Sequence, residues 1–384
     1  MQVIVIIYEF PPVGGGGGRV AEDICRGLVQ RGHEVLVITS HWGDLPWQEN
    51  RDGIEIVRVP AGRKYPFKAR FLDMFGYIVG GFLPGLRLIH QWKPDVIHVH
   101  FAVPSGPLAW MLSKLTGVPY ILTAHLGDVP GGVPDKTERW FRLVYPFTHP
   151  IWKSASAVYG VSEFTRSLAR EHYNLDIDVI PNGVDLNLLQ PDELQTDSPP
   201  RIIFAGRFVG QKNPVQIVRT LAKLNDLSWD CVMLGDGPLR PDVETEIARH
   251  NLEERFTLTG WVSPDDVIEW FSKSDILFMP SLSEGLPVVG VQALAMGLAI
   301  VATPVGGFVD LVNSGKNGFL VDCSNGSSEF ALKELLTSPQ KLENCQRASR
   351  QQAQLFCVDR IVNSYEKALS SVGNGSGAIG GKES

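Results

Sequence analysis

At 384 residues, with 44% hydrophobic and 20% charged side chains, the chain is too long for one ordinary core and has the make-up of a soluble globular protein of two domains. A formal charge of −7 argues against general nucleic-acid binding, although a local basic stripe can still face an anionic surface. The five cysteines, Cys25, Cys231, Cys323, Cys345 and Cys357, are scattered, odd in number and lack a C-x-x-C pair, which disfavours both a disulfide scaffold and structural zinc.

The first apolar run, residues 2 to 7, is short enough for a buried strand and carries neither a basic leader nor a cleavage site, so a cytoplasmic enzyme is the expectation. Further β-branched runs follow at 34 to 39, 54 to 59, 95 to 99, 119 to 123 and 157 to 160, with amphipathic stretches between most of them. Glu22 to Arg31 is predicted as a helix with a basic last turn, stopped by Gly32. The pattern lapses around 181 to 200, in Pro181-Asn-Gly-Val-Asp185, Gln190-Pro191 and Ser198-Pro199-Pro200, and restarts with strands at 201 to 205, 230 to 234, 256 to 258, 275 to 279, 299 to 302 and 318 to 321. Two doubly wound α/β halves are therefore expected. The predicted bounds are 1–180 for the first domain, 181–200 for a linker and 201–357 for the second domain. A helix at 358–372 is expected to cross back to the first domain, followed by a Gly/Ser-rich tail at 373–384. Ligands of open parallel sheets sit outside the carboxyl ends of the strands, so the active site is expected where the loops of both halves meet across a cleft.

Four loops carry the chemistry. After the first strand, Pro11-Pro12-Val13 leads into Gly14 to Gly18 and Arg19. The glycines let backbone approach a bulky ligand, but no Lys-Ser/Thr follows them and no G-x-G-x-x-G fits, which excludes two familiar nucleotide loops. By itself the run also reads as a flexible turn. His125 ends the strand before Leu126-Gly127-Asp128, and His98 and His100 alternate on a neighbouring strand; taken alone each reads as a satisfied core group, and no carboxylate or thiolate cluster accompanies them. Asp176-Ile-Asp178 is the one D-x-D and reads as a solvated edge. Arg207 and Lys212, on the Gly-containing loop after residues 201 to 205, are placed to neutralise a diphosphate, against the alternative of two solvated surface charges. Finally, Glu284-Gly285-Leu286-Pro287 opens a helix whose first N–H groups favour an anion, beside a carboxylate that accepts from hydroxyls; a second Gly-rich loop follows at Gly306-Gly307. Phosphate donors and a hydroxyl acceptor in one loop suggest a phosphorylated sugar.

Ordered along the chain, these residues resemble a retaining family-4 glycosyltransferase of the GT-B fold. The resemblance spans nearly the whole length: Pro-Pro-x-Gly-Gly, Arg31-Gly-His-Glu-Val35, Asp95-Val-Ile-His-Val99, Thr123-x-His125, Val161-Ser162, Pro181-Asn-Gly-Val-Asp185, Gly206-Arg207 with Lys212, Gly235-Asp-Gly-Pro238, Gly260-x-Val262 and Glu284-Gly-x-Pro287. It implies two Rossmann-like domains and transfer of a sugar from a nucleotide-diphosphate sugar to a hydroxyl acceptor, with no cofactor and no metal. It further implies that Arg207 and Lys212 hold the diphosphate and that Gly15 and Gly16 close over the phosphates. N–H groups at Gly285, Leu286, Val288 and Val289 would bind sugar and phosphate, Glu284 would accept from a sugar hydroxyl, His125 would meet the sugar and Val262 would contact the base. The family shows E-x7-E, whereas here Glu284 is followed at that spacing by Gln292, which is expected still to bind ribose. A sugar-nucleotide epimerase of similar fold, or a sugar-nucleotide binder without turnover, are the alternatives.

Residues 62–93 interleave Arg63, Lys64, Lys68 and Arg70 with Phe67, Phe71, Phe75 and Tyr77. Such a helix can lie on the inner face of an anionic membrane and receive a lipid-linked acceptor, or be a core helix with a basic edge.

Overall fold

The computed structural model describes residues 1–66, 69–132, 134–189, 191 and 199–373. Phe67, Lys68, Val133, part of the predicted linker (190 and 192–198) and the tail from 374 lie outside the described residues. The chain divides into two compact units, Met1–Gly183 with the segment from Val358, and Val184–Cys357.

The first unit runs β1 (Gln2–Ile6), α1 (Gly16–Gln30), β2 (Glu34–Ser40), β3 (Gln48–Arg51), β4 (Ile54–Val59), α2 (Phe71–Trp92), β5 (Val96–His100), α3 (Ser105–Thr116), β6 (Tyr120–Ala124), α4 (Pro134–Ser154), β7 (Ala157–Gly160), α5 (Glu163–Tyr173) and β8 (Asp178–Val179). Its sheet order is β3-β4-β2-β1-β5-β6-β7-β8, parallel except for the β3 edge. The second unit runs β9 (Arg201–Ala205), α6 (Pro214–Ala222), β10 (Asp230–Leu234), α7 (Arg240–Arg249), β11 (Phe256–Gly260), α8 (Pro264–Ser272), β12 (Ile276–Met279), α9 (Val288–Met296), β13 (Ala299–Ala302), α10 (Phe308–Leu311), β14 (Gly318–Leu320), α11 (Ser327–Thr337) and α12 (Pro339–Ala353). Its parallel order is β11-β10-β9-β12-β13-β14. Central strands such as Val3–Ile6, Ile202–Phe204 and Ile276–Met279 are fully buried, because helices cover both faces; this is why they read as unbroken apolar runs.

Both sheets reverse direction once. The reversal lies between β1 and β5 in the first unit and between β9 and β12 in the second, where neighbouring loops leave in opposite directions and open a crevice. The four chemistry-bearing loops follow β1, β6, β9 and β12, so three of them border these two points.

The segment read as a linker is seated at its start. Gly183 leaves no room for a Cβ beside Ile361 and Val358, and the Val184 N–H donates to the Phe356 carbonyl (2.9 Å). The chain thus changes unit at two places, after Gly183 and after Cys357. The last helix, α13 (Val358–Gly373), returns to the first unit, where Gly27 of α1 leaves room for Val362, and Arg31 and His33 both reach Glu366 (2.7 and 2.8 Å). α1 differs from its prediction. It starts at Gly16 rather than Glu22, and Arg31 caps it rather than lying in its last turn, since close packing of its first glycines against Glu9 and Phe101, just after β1 and β5, overrides glycine's poor helix propensity.

Candidate active site

In the second unit the loops after β9 and β12 are laced together. The Leu282 N–H donates to the Gln211 carbonyl (2.8 Å), and the Gln211 side-chain amide donates to the Ser283 carbonyl (2.9 Å). This sets Lys212 Nζ 2.6 Å from Glu284 Oε1, with side chains only 17% and 6% exposed. A charge-assisted bond so far from water is worth more than a surface pair, and losing either partner strands the other. Arg207, in the same β9 loop, is exposed and forms no ion pair with a described residue.

The β13–α10 loop backs this carboxylate. Gly306 has φ +54°, and a Cβ there would collide with the Glu284 carbonyl oxygen; a Cβ on Gly307 would meet Gly285 O, to which the Gly307 N–H donates. The Thr303 hydroxyl donates to the Ser281 carbonyl. The Gly306-Gly307 pair is thus a backbone support for Glu284 and Gly285, and glycine is required there for contact rather than for flexibility.

α9 begins at Val288 with Pro287 as its cap, and no side chain caps it. The Gly290 and Val291 N–H groups turn back to the Pro287 carbonyl, which leaves those of Val288 and Val289 as the unpaired donors of the first turn. Val288, Val289 and Gln292 form the half-exposed side of a helix whose Gly290, Val291 and Ala293 to Met296 are buried. Gln292 stands one turn above Val288 on that side. On the other flank of β9, Gly235 and Gly237 let their loop press against Gly206 and Phe208, where a Cβ at Gly237 would lie 2.6 Å from the Phe208 carbonyl. Next along, the Gly260 carbonyl accepts from the Gly235 N–H (2.9 Å), Trp261 is exposed and Val262 half-buried.

In the first unit the glycine run divides its labour. A Cβ at Gly18 would lie 2.6 Å from the Glu9 carbonyl and one at Gly17 2.6 Å from Phe101 Cζ, whereas one at Gly15 would meet nothing within 4 Å. Gly15 and Gly16 start α1 with no side-chain cap, open to a ligand. Arg63 holds this turn: fully buried, it donates to Glu9 Oε1 and to the Pro66 carbonyl (both 2.8 Å), which also accepts from Gly14 N (2.9 Å), and it stacks 4.7 Å from the Tyr8 ring. Sequence reading places Arg63 on a basic edge that faces either a membrane or solvent; the structure makes it an internal brace.

His125 follows β6 directly, and its ring stacks on Phe101 (centroids 4.1 Å apart). Phe101 has φ +69°, a conformation costly for a bulky residue and usually kept only where the surroundings insist. Burial holds the His125 imidazole down at about 4, hence neutral at pH 7, and its Nε2 has no hydrogen-bond partner. A neutral ring nitrogen withheld from water is suited to a substrate hydroxyl. The backbone is held by Asp128, whose Oδ2 accepts from His125 N (2.7 Å). Burial pushes the Asp128 carboxyl up to about 7 against the pull of the His125, Ala102 and Val103 amides. His98 is bonded to Thr123 Oγ1 (2.9 Å), which donates to Tyr365 of α13 (3.2 Å). Among the described residues no group of three or more His, Cys, Asp or Glu side chains is placed to hold a metal ion.

Two family models cover the chain almost end to end: "Glycosyltransferase Family 4" matches residues 14–188 and "Glycosyl transferases group 1" matches residues 188–352. The chain belongs to the group 1 glycosyltransferases of family 4. Among its relatives, the D-inositol 3-phosphate glycosyltransferase of Rhodococcus opacus (strain B4) is 28% identical over 388 residues, covering 91% of this chain and 85% of that one. The fold is GT-B, as the sequence predicts. A sucrose-phosphate synthase from Thermosynechococcus elongatus superposes with TM-score 0.85 at 20% identity, covering 98% of this chain and 100% of that one. Anabaena HepE in complex with UDP-glucose gives 0.75 at 19% identity, covering 97% and 100%.

In this family-4 glycosyltransferase the structure brings Lys212, Glu284 and the Gly285 backbone together and sets Val288, Val289 and Gln292 on one side of α9; Leu286 is buried in the turn between them. Among the described residues, neither Val262 nor Arg207 makes a hydrogen bond or ion pair with that group. Phe101, Asp128 and Arg63 carry supporting roles that sequence reasoning missed. Only Asp128 left a signal, as the acid three residues after His125, a spacing that bends a side chain back onto the His125 N–H.

Proposed function

We propose that this glycosyltransferase moves a hexose or related sugar from a nucleotide-diphosphate sugar to a hydroxyl acceptor, with retention at the anomeric carbon and without a metal ion, in glycoconjugate or polysaccharide synthesis. The observation that carries the reading is the Lys212–Glu284 bond across the β9/β12 reversal, beside the uncapped start of α9. Breaking a glycosyl–phosphate bond puts negative charge on the departing diphosphate and positive character on the anomeric carbon. Lys212, Arg207 and the Val288 and Val289 amides supply fixed positive ends for the former. Glu284 accepts from a sugar hydroxyl, which orients the ring. His125, neutral and with its Nε2 unpaired, is the first unit's candidate for binding a sugar hydroxyl, and Gln292 takes the ribose. That HepE was solved with UDP-glucose supports a nucleotide sugar as donor class.

Nucleoside diphosphates that bind only the native state raise its melting temperature by mass action. Arg207→Ala and Lys212→Ala are expected to abolish most of that rise and to lower turnover by about 10²-fold or more, as loss of one preorganised donor costs about 3 kcal/mol. Full retention of the shift in both variants would overturn the diphosphate assignment. The products discriminate the reaction: transfer or slow release of free sugar with turnover unaffected by chelator supports this reading, isomerised donor identifies an epimerase, and tight binding with neither identifies a binder.

A further inference from the structure

α2 has two faces of opposite character. Its inner face is built from small residues that let it sit hard against the first unit. A Cβ at Gly76 would lie 2.5 Å from the Ala61 carbonyl, one at Gly80 would collide with the Pro60 carbonyl, and those at Gly81 and Gly85 would lie 2.7 and 2.8 Å from Leu108 and Leu112 of α3. Tyr77, fully buried, donates to the Ile38 carbonyl (3.0 Å), and buried Asp73 is paired with Arg70 (2.5 Å). The outer face carries Leu72, Phe75, Val79 and Leu83, spaced i, i+3, i+7 and i+11 so that they form one stripe, with Phe71 beside it; all five are exposed. At 1.5 Å per residue the stripe is roughly 16 Å long.

By length and composition α2 is the one helix among the described residues apolar enough to cross a membrane. Its inner face, keyed into β-strand loops and α3 by four glycines, instead holds it on the protein, so that only the outer stripe is available. The charges along this stretch of the chain are mostly of one sign. Between residues 62 and 118 the only acids are Asp73 and Asp95, the first paired with Arg70 and the second bonded to the Gln2 N–H (2.7 Å). Lys64, Arg87, Lys93 and Lys114 are exposed, in a chain whose overall formal charge is −7. A second copy docked on this face through a two-fold axis would set like charges opposite one another. An anionic surface with an apolar interior matches both features.

We propose that the outer stripe of α2 docks on the surface of an anionic lipid bilayer, lying in the interface with Phe71, Leu72, Phe75, Val79 and Leu83 in the acyl boundary and the surrounding cations at the headgroups. The docking does not depend on the donor. That a lipid-linked hydroxyl is the acceptor class served by such a surface rests on the transfer reading above. The basic edge read from the sequence is thereby redrawn: Arg63 is buried, Arg70 is held by Asp73, Tyr77 is core, and the apolar stripe is the principal anchor.

The test is co-sedimentation of the full chain with phosphatidylcholine vesicles, with and without phosphatidylglycerol, at ~0.05 M and ~0.5 M salt. Wild type is expected to pellet at least tenfold more with phosphatidylglycerol vesicles, and less at high salt. Leu72→Glu combined with Leu83→Glu, at positions 73% and 70% exposed, is expected to lower binding at least tenfold with an unchanged melting temperature and unchanged donor hydrolysis. Arg87→Glu gives an independent, salt-sensitive reduction. Absence of vesicle binding by wild type, or equal binding by the double variant, overturns the proposal; so does a dimer in sedimentation velocity that the double variant converts to monomer. Vesicle binding with no sugar transfer to any lipid acceptor leaves the docking standing and removes the acceptor class.

Discussion

Gln292 is where this chain departs from the pattern it otherwise follows. It stands half-exposed on α9, one turn above Val288, with no side-chain hydrogen-bond partner among the described residues. An amide there offers one acceptor oxygen and no charge, where a carboxylate would offer two charged oxygens to a ribose diol. Loss of one hydrogen bond of this kind is worth about 1 kcal/mol, so Gln292→Ala is expected to weaken nucleoside-diphosphate binding about fivefold by calorimetric titration, and Gln292→Glu to strengthen it by a similar factor. Equal affinities for wild type and Gln292→Ala would take the residue out of the site. The spacing from Glu284 is legible in the sequence. That the amide stands unengaged on an accessible side of α9 is not, because a helical residue's neighbours depend on which side of the helix the rest of the unit covers.

At the scale of elements, the support of Glu284 by the β13–α10 loop makes a matched pair of glycines informative. Gly306 (φ +54°) and Gly315 (φ +82°) both occupy the left-handed region, but a Cβ at Gly315 would meet nothing within 4 Å, whereas one at Gly306 would strike the Glu284 carbonyl. Gly315→Ala should therefore cost only the left-handed penalty of about 1–2 kcal/mol and leave activity intact. Gly306→Ala should cost more and lower kcat at least tenfold, since Glu284 must shift. Similar melting temperatures and similar kcat for the two variants would show that the support is not specific. Sequence reasoning marked Gly306-Gly307 as a second loop near the site, but the loop's partner lies some twenty residues earlier and is reached only through the β12–β13 pairing. α2 gives the same lesson from the other side. The basic and aromatic residues of 62–93 are visible in the sequence, yet tertiary packing draws Arg63, just before the helix, and Tyr77 inward and leaves Leu72, Val79 and Leu83 outside, residues that composition alone assigns to a core.

For the whole molecule, the first unit stores several neutral imidazoles under its returning helix. Burial holds His98 at about 3 and His125 at about 4, and burial with its imidazole neighbours holds His100 well below the ordinary value. In the unfolded chain each would bind a proton near pH ~6.5. Below that pH the unfolded state therefore holds more protons, and stability present above it is lost as pH falls toward 4, by up to about 1.4 kcal/mol per pH unit for each ring. Asp128 and Asp23 act with the opposite sign. Burial raises them to about 7 and about 6, so the folded chain protonates them first, and their contribution is lost as pH rises through those values. Three rings against two carboxyls leave a net loss on going from pH 6.5 to 5. The melting temperature is expected to drop over that interval, and to drop less steeply in His98→Asn; an unchanged slope in that variant would show that His98 titrates the same way folded and unfolded.

The amino-acid sequence by itself determined the alternation of buried strands and covering helices, the two-unit architecture and the family, and the identities of the residues on the carboxyl-end loops. It could do so because strand burial, glycine turns and uncapped helix starts are written in local spacing. The tertiary structure decided which of those residues meet: Lys212 with Glu284, Glu284 with the Gly306 backbone, His125 with a strained Phe101, and Arg63 with Glu9 instead of solvent. Such meetings depend on strand order and on which helical face is covered, and both are set by long-range packing that no window of the chain contains.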